Sequence, residues 1–376
     1  DNQAHRLVQR IQGLIRLRQL ANHEKRVAII GYDYPDGEGN MLGAAFLDCA
    51  ASIEAILADL AQEGYQLTVP EPGTLLGELL DRAVNSPRYS NSDRTIIYPR
   101  EQAIAELANP KAWAEVESVW GNNPDLPMVT PTGDFLIPAI ELGNVLVGIQ
   151  PGRAPLSNGG DSTHDNTIPP PPQYLAFYTW VRKVWKADVI VHVGTHGTFE
   201  FLKAKQNAVS TDCFPDLMIE ETPHVYLYYC ANPTEGIIAR RRSHATLVSY
   251  QPPVMLPGGL HNQLADLDKL LAEHRQAVEL SPQTAQDLLA EIARAAEEAH
   301  LPTDPGELEA ELERLSSGLV PMGLHVFGEE WNTDEVIRMV DAVLSGGLDD
   351  QMPAVEVMAG LKGLPDGAVE ELPPPE

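Results

Sequence analysis

Ala187-Asp-Val-Ile-Val191 runs straight into His192-Val-Gly-Thr-His196-Gly-Thr-Phe-Glu200, and the reading of this stretch decides the fold. The apolar run reads as a buried strand. Gly194 and Gly197 punctuate the residues after it, so the polar side chains leave a strand end through a turn. In α/β proteins ligands bind outside the carboxyl edge of the sheet, which is where such a turn lies. Two imidazoles and a carboxylate recur there at four-residue spacing. They suit the handling of a metal ion or of protons, and His192, His196 and Glu200 are the candidate catalytic residues and transient metal ligands. The spacing is not the zincin H-E-x-x-H. The local pattern therefore leaves metal ligand and general base both open, beside the structural alternative of polar residues satisfied at a strand end.

Working outward, Arg26-Val-Ala-Ile-Ile-Gly31 is a short buried strand. Gly37, Gly39 and Gly43 lead into a helix over about 43–63, and Gln66–Val69 reads as a second strand, a β-α-β signal that argues for a parallel sheet. Residues 73–120 read as mostly helical with a strand near 94–98, followed by a strand at 144–149 and a long loop over 151–172. A helix at 173–186, strands at 187–193 and 224–230 and a helix at 234–246 restore the alternation. Residues 3–20 form an amphipathic helix, and 260–316 are helical. The expected fold is α/β, with parallel-sheet βαβ units and an added helical region. The expected segments are an entry helix (1–26), a first α/β unit (27–135), a second carrying the His/Glu motif (136–258), a helical region with a returning strand near 320–328 (259–345), and an acidic, proline-containing tail (346–376) of disordered composition.

The 376 residues carry 26 lysines and arginines against 54 acids, a net charge of −28, which argues against nucleic-acid binding. No apolar run is long enough to span a bilayer, and the start does not read as a signal peptide. Cys49, Cys213 and Cys230 are widely spaced, which fits a reducing, cytoplasmic setting better than a disulfide framework.

Further blocks accompany the motif: Tyr34-Pro-Asp-Gly-Glu-Gly-Asn40, Gly143-Asn-Val-Leu-Val-Gly-Ile-Gln-Pro151, Cys213-Phe-Pro-Asp216, His224-Val-Tyr-Leu-Tyr-Tyr229, Asn232-Pro-Thr-Glu-Gly236, Ala239-Arg-Arg-Arg-Ser243 and Pro321-Met-Gly-Leu-His-Val-Phe-Gly328. With the His192–Lys205 motif, in this order, they resemble the CobN/magnesium-chelatase H-subunit family, large subunits that bind tetrapyrroles during metal insertion. Members are several times longer, so the chain resembles a central piece of one. The resemblance implies Co2+ or Mg2+ as substrate metal, a corrin precursor or porphyrin as substrate, and ATP consumed by separate AAA+ subunits. The chain departs from the family at Lys203-Ala204, where most members have Pro-Gly, and it mixes cobalt-type and magnesium-type features.

Metal insertion needs the macrocycle held, two pyrrole protons removed and a dehydrated ion presented. Carboxylates and imidazoles suit the last two demands. Glu200 is the strongest candidate for these, its alternative being a carboxylate at a helix N-terminus. Lys205 and the run Arg240, Arg241, Arg242 are candidates to pair with ring carboxylates. Residues at 100° intervals on a helix cannot all face one ligand, so part of the run has ion pairing as its alternative. Asn40 and His325 join the candidate substrate-binding residues through their blocks. Tyr226 and Tyr228 share one strand face, opposite Tyr229, and read as core packing before ring stacking. The glycines at 37, 39 and 43 do not match G-x-G-x-x-G, and no Walker motif occurs, so ATP hydrolysis falls outside this chain. The rival readings are a non-catalytic tetrapyrrole-binding or sensor homologue and a zinc hydrolase using His192, His196 and Glu200.

Overall fold

The computed structural model describes residues 2–32, 41–83, 95–107, 109–121, 126–153, 165–194, 197–206 and 210–345. The chain divides into two compact units, residues 1–252 with 324–329, and residues 253–323 with 330–376.

The first unit contains, in chain order, α1 (Asn2–Gln19), β1 (Val27–Gly31), α2 (Cys49–Gln62), α3 (Leu75–Arg82), β2 (Ile96–Tyr98), α4 (Arg100–Leu107), α5 (Pro110–Trp120), β3 (Phe135–Ile137), β4 (Ala139–Glu141), β5 (Val145–Ile149), α6 (Pro172–Thr179), β6 (Val189–Val193), α7 (Phe214–Ile219), β7 (His224–Tyr229), α8 (Pro233–Ser243) and β8 (Thr246–Tyr250). In the second unit β9 (Met255–Pro257) pairs with β10 (Leu319–Pro321), and α9 (Gln263–Leu280), α10 (Pro282–Glu298) and α11 (Pro305–Ser317) pack through Leu267, Leu271, Ile292, Leu308 and Leu312; α12 (Thr333–Ser345) follows. The expected α/β class with an added helical region describes what is seen.

Six strands form the main sheet in the order β4-β5-β1-β6-β7-β8. Only β4 is antiparallel to its neighbour. Counted along the chain, the five parallel strands therefore lie 2-1-3-4-5, the doubly wound order whose ligand crevice opens at the carboxyl ends of the first and third strands. Here those strands are β1 and β6. Because β1 lies between β5 and β6, the segments expected as separate α/β units share one sheet.

Alternation along the strands gives the sheet two different faces. Ile29, Val147, Val189 and Leu227 face one core, which α2 covers with Cys49, Ile53 and Leu57. Asp48 caps that helix by accepting from the Ala51 N–H at 2.9 Å. Ala28, Ile30, Leu146 and Ile190 face the other core, which α6 covers with Tyr174, Phe177 and Tyr178. α6 continues as a π-helical turn, Trp180–Val184. This second face carries the candidate site.

Several features differ from the expectations, among them the helix expected from about 43, which begins only at Cys49. Gln66–Val69 is not a parallel strand: only Leu67 bridges, antiparallel, to Gly143. Pro70 and Pro72 follow at once and cannot donate to a ladder. Gly143 is needed there, at φ 94° with a Cβ position 2.9 Å from the Gln66 carbonyl. The helix expected to reach 246 stops at Ser243, because His244 turns left-handed at φ 53°, which frees 246–250 to form the edge strand β8. Finally, α1 turns its basic side inward: Arg10 pairs with Asp216, Arg6 with Asp216 and Glu220, and Arg16 with Asp188, leaving Leu7, Val8, Ile11, Leu14 and Ile15 about half exposed. Asp216 and Glu220 sit at the two ends of α7, which fixes that orientation.

Candidate active site

His192 projects from β6 onto the α6 face and is buried. Both of its ring nitrogens are engaged. Nε2 lies 2.7 Å from the Tyr178 hydroxyl, and Nδ1 lies 2.8 Å from Nε2 of His224, the first residue of β7. Register explains the meeting: His192 pairs with Tyr226 and Ile190 with His224, so 192, 224 and 226 share a face. Burial pushes the His224 imidazole down to about 3, with the Ser243 backbone acting the other way, so the ring is neutral.

The network extends to the end of β5 and into the motif. Gln150 Nε2 donates to the Tyr178 hydroxyl at 2.5 Å, and Gln150 Oε1 accepts from Thr198 Oγ1 at 2.9 Å. The Tyr174 and Thr198 hydroxyls are 2.7 Å apart. Since the Thr198 hydrogen goes to Gln150, the Tyr174 phenol is the donor to Thr198. Thr198 opens a single 3-10 turn, Phe199–Phe201, that carries Glu200.

Glu200 is fully buried. The Tyr226 hydroxyl accepts from the Phe199 N–H at 3.3 Å and donates to Glu200 Oε2 at 2.9 Å. Burial raises the Glu200 carboxyl to about 8; backbone and Tyr226 hydrogen bonds pull against this, Glu235 adds to it, and Arg153 opposes it. A carboxylate loses hydration in the core that these partners only partly replace. The group is thus a neutral acid over much of the physiological range and releases its proton close to neutrality. Gly197 lets the turn press on the sheet: a Cβ there would lie 2.7 Å from the Tyr226 hydroxyl and 3.0 Å from the His192 ring.

The remaining candidates fall in different places. Arg242 is buried, and its Nη1 and Nη2 donate to the carbonyls of Glu200 and Leu202 at 2.5 and 2.7 Å. It braces the motif turn. His192, expected as a base or transient metal ligand, has both ring nitrogens in hydrogen-bond contact with protein groups. Arg240 and Arg241 are exposed on α8, and Lys205 is exposed after the motif. His325 is buried against the loop before α2, its N–H donating to Phe46 and its carbonyl accepting from Asp48, both at 2.9 Å. It is not part of the His192 network. His196 and Asn40 lie outside the described residues. Among the described residues, no group of three or more His, Cys, Asp or Glu is placed to hold a metal ion. Tyr226 and Tyr228 share a face, as the alternation requires, and Tyr229 packs on the opposite one.

Sequence reasoning missed Gln150, Tyr174, Tyr178, Thr198 and His224 as members of the site. A usable signal existed for the tyrosines. They stand one turn apart on a helix whose residues are all buried, and buried phenol tips need partners.

The CobN/Magnesium Chelatase family model matches residues 1–364. The chain is 33% identical over 349 residues to the magnesium-chelatase H-subunit of Chlorobaculum parvum, covering 89% of this chain and 27% of that protein. It is 31% identical over 330 residues to the aerobic cobaltochelatase CobN of Pseudomonas aeruginosa, covering 82% and 26%. Among solved structures it is similar to the catalytic subunit of cobaltochelatase from Mycobacterium tuberculosis, with a TM-score of 0.72 and 25% identity, over 94% of this chain and 32% of that one. The chain thus spans about a quarter of the length of these curated relatives. No described helix is long and apolar enough to cross a membrane.

Proposed function

The chain belongs to the CobN/magnesium-chelatase family, and on that premise we propose that it carries the catalytic core of metal insertion into a tetrapyrrole. The observation that supports this most directly is Glu200, a carboxyl buried to zero exposure whose proton affinity is raised to about 8. Removing pyrrole protons needs a base whose proton affinity lies near the working pH. A divalent cation arriving beside Glu200 favours the ionised form, so on the ion's approach the proton the core had retained passes to water, which leaves the carboxylate free to act. The carboxylate then takes a pyrrole proton or holds the ion. The substrate metal is Co2+ or Mg2+, both of which accept carboxylate oxygen. Lys205, exposed after the motif, is assigned to a ring carboxylate. His196 is assigned with Glu200 to proton and metal handling. ATP is consumed by separate AAA+ subunits, and the setting is the cytoplasm.

A zinc hydrolase built on His192, His196 and Glu200 is disfavoured because Tyr178 and His224 occupy both His192 nitrogens. The test uses Glu200→Gln with partner ATPase subunits and either protoporphyrin or a corrinoid precursor. Insertion should be abolished while the ring still binds, as followed by absorbance and fluorescence titration. Insertion at the wild-type rate would remove Glu200 from the mechanism.

A further inference from the structure

We infer that His224 is a positioning residue for this reaction, acting through His192 along one buried hydrogen-bond chain that ends at the turn carrying Glu200. The activity readout rests on the chelatase reading above; the chain itself rests on geometry. From His224 Nε2 it passes to His192 Nδ1 at 2.8 Å, from His192 Nε2 to the Tyr178 hydroxyl at 2.7 Å, from Tyr178 to Gln150 Nε2 at 2.5 Å, and from Gln150 Oε1 to Thr198 Oγ1 at 2.9 Å. The Thr198 carbonyl accepts from the Phe201 N–H at 3.1 Å, which closes the turn around Glu200. All five side chains are at most 4% exposed.

The chemistry explains an imidazole at both 192 and 224. A neutral imidazole has one N–H and one bare nitrogen. The contact between the two rings therefore holds one proton, and whichever ring gives it, the other takes it. The outer nitrogen of His192 then has the opposite role towards Tyr178, whose hydroxyl can give or accept. A carboxylate at 224 would bury a charge, and an aliphatic residue would strand a polar nitrogen. His224 also packs edge-on against Tyr226, the donor to Glu200, with ring centroids 4.3 Å apart. A change at 224 thus reaches Glu200 from both sides while touching neither ion nor ring.

The test compares His224→Phe, which keeps an aromatic ring and removes both nitrogens, with His224→Gln, whose amide reaches about the position of Nε2 and can give or accept. Tyr178→Phe cuts the chain in its middle by removing one oxygen. Imidazole 15N resonances of His192 in the full chain are one readout, and insertion kinetics are the other. His224→Phe should shift the His192 resonances and lower kcat about tenfold or more with the ring KM within about twofold, since only the reacting geometry is lost. His224→Gln should restore most of kcat. Combining His224→Phe with Tyr178→Phe should do little more than the worse single change, because links in one chain do not add. His192 resonances indifferent to His224→Phe would overturn the inference, as would losses that multiply in the double variant or a His224→Gln no better than Phe. Should His224→Phe not fold, Tyr178→Phe and His224→Gln decide it by the same two readouts. A wild-type chain that inserts no metal would sink the chelatase reading instead, and the His192 resonances would still judge the chain of hydrogen bonds.

Discussion

Replacing Glu200 by Gln should remove a pH dependence of stability that the wild-type chain carries. The carboxyl moves from an ordinary value of 4.5 to about 8 on folding because the core desolvates its charged form. Between those limits the folded state keeps a proton that the unfolded chain has lost. The stabilisation this group permits is complete below the unfolded value, falls as pH rises through the window, and levels off above about 8. One proton bound only in the folded state makes stability fall by about 1.4 kcal/mol per pH unit. The window from 4.5 to about 8 therefore amounts to something on the order of 5 kcal/mol. Glutamine has the shape of the neutral acid, keeps an oxygen for the Tyr226 hydroxyl, and does not ionise.

The two proteins should be nearly equal in stability at about pH 5, and the variant should be the more stable by several kcal/mol at about pH 8.5. Urea denaturation followed by tryptophan fluorescence measures this. Trp113, Trp120, Trp180 and Trp185, four of the five tryptophans, lie in the unit that contains Glu200, so the signal reports mainly that unit. All other titrating groups are common to both proteins and cancel in the difference. A difference that stays flat from about pH 5 to 8.5, or in which the variant loses ground as pH rises, would refute the reasoning, because Glu200 would then ionise in the fold about as it does in water.

Two further substitutions test the support around that carboxyl. Arg242→Met strands the carbonyls of Glu200 and Leu202 and should destabilise the chain by about 2–4 kcal/mol; Arg242→Lys, without a fork, should recover only part of this, as read from denaturation midpoints. Gly197→Ala drives a methyl group against the Tyr226 hydroxyl and the His192 ring. It should cost about 1–3 kcal/mol and shift the His192 imidazole resonances, and an unchanged spectrum would mean that the turn has room to spare.

The strands were legible because apolar runs bounded by glycine and polar residues are a strong local signal, and β1, β5, β6 and β7 lie within two residues of where those runs predict them. Their order was not, since pairing is decided by crossovers that span more than a hundred residues: nothing near Val27 says that its neighbours are Val145 and Val189. Gln66–Val69 shows the limit, for its apolar pattern fits a strand but the prolines beside it end the pairing after one bridge. In the site, Glu200 was legible from its motif. Tyr174 and Tyr178 were not, because a tyrosine on a buried helix face reads as core until its hydroxyl partners, fixed by β5 and β6, are known.

The spacing of the family blocks along the sequence follows from the same topology. Gln150 comes from the block that ends β5, His192, Thr198 and Glu200 from the motif after β6, His224 and Tyr226 from β7, and Arg242 from α8. In the chain they are separated by tens of residues, and in the fold they make one network on one face of the sheet. A buried polar network is stabilising only when its members are satisfied together, so each block constrains the others although each alone is a weak signal. Residues 46–48 and the block around His325 obey a separate constraint. Residues 46–48 hydrogen-bond His325, next to the opposite core, against which Phe327 packs while its N–H donates to Ser52 Oγ at 2.9 Å. Residues 46–48 and the segment at 324–329 are therefore tied to each other, and a substitution at His325 should leave the proton affinity of Glu200 unchanged, as the pH dependence of stability would show.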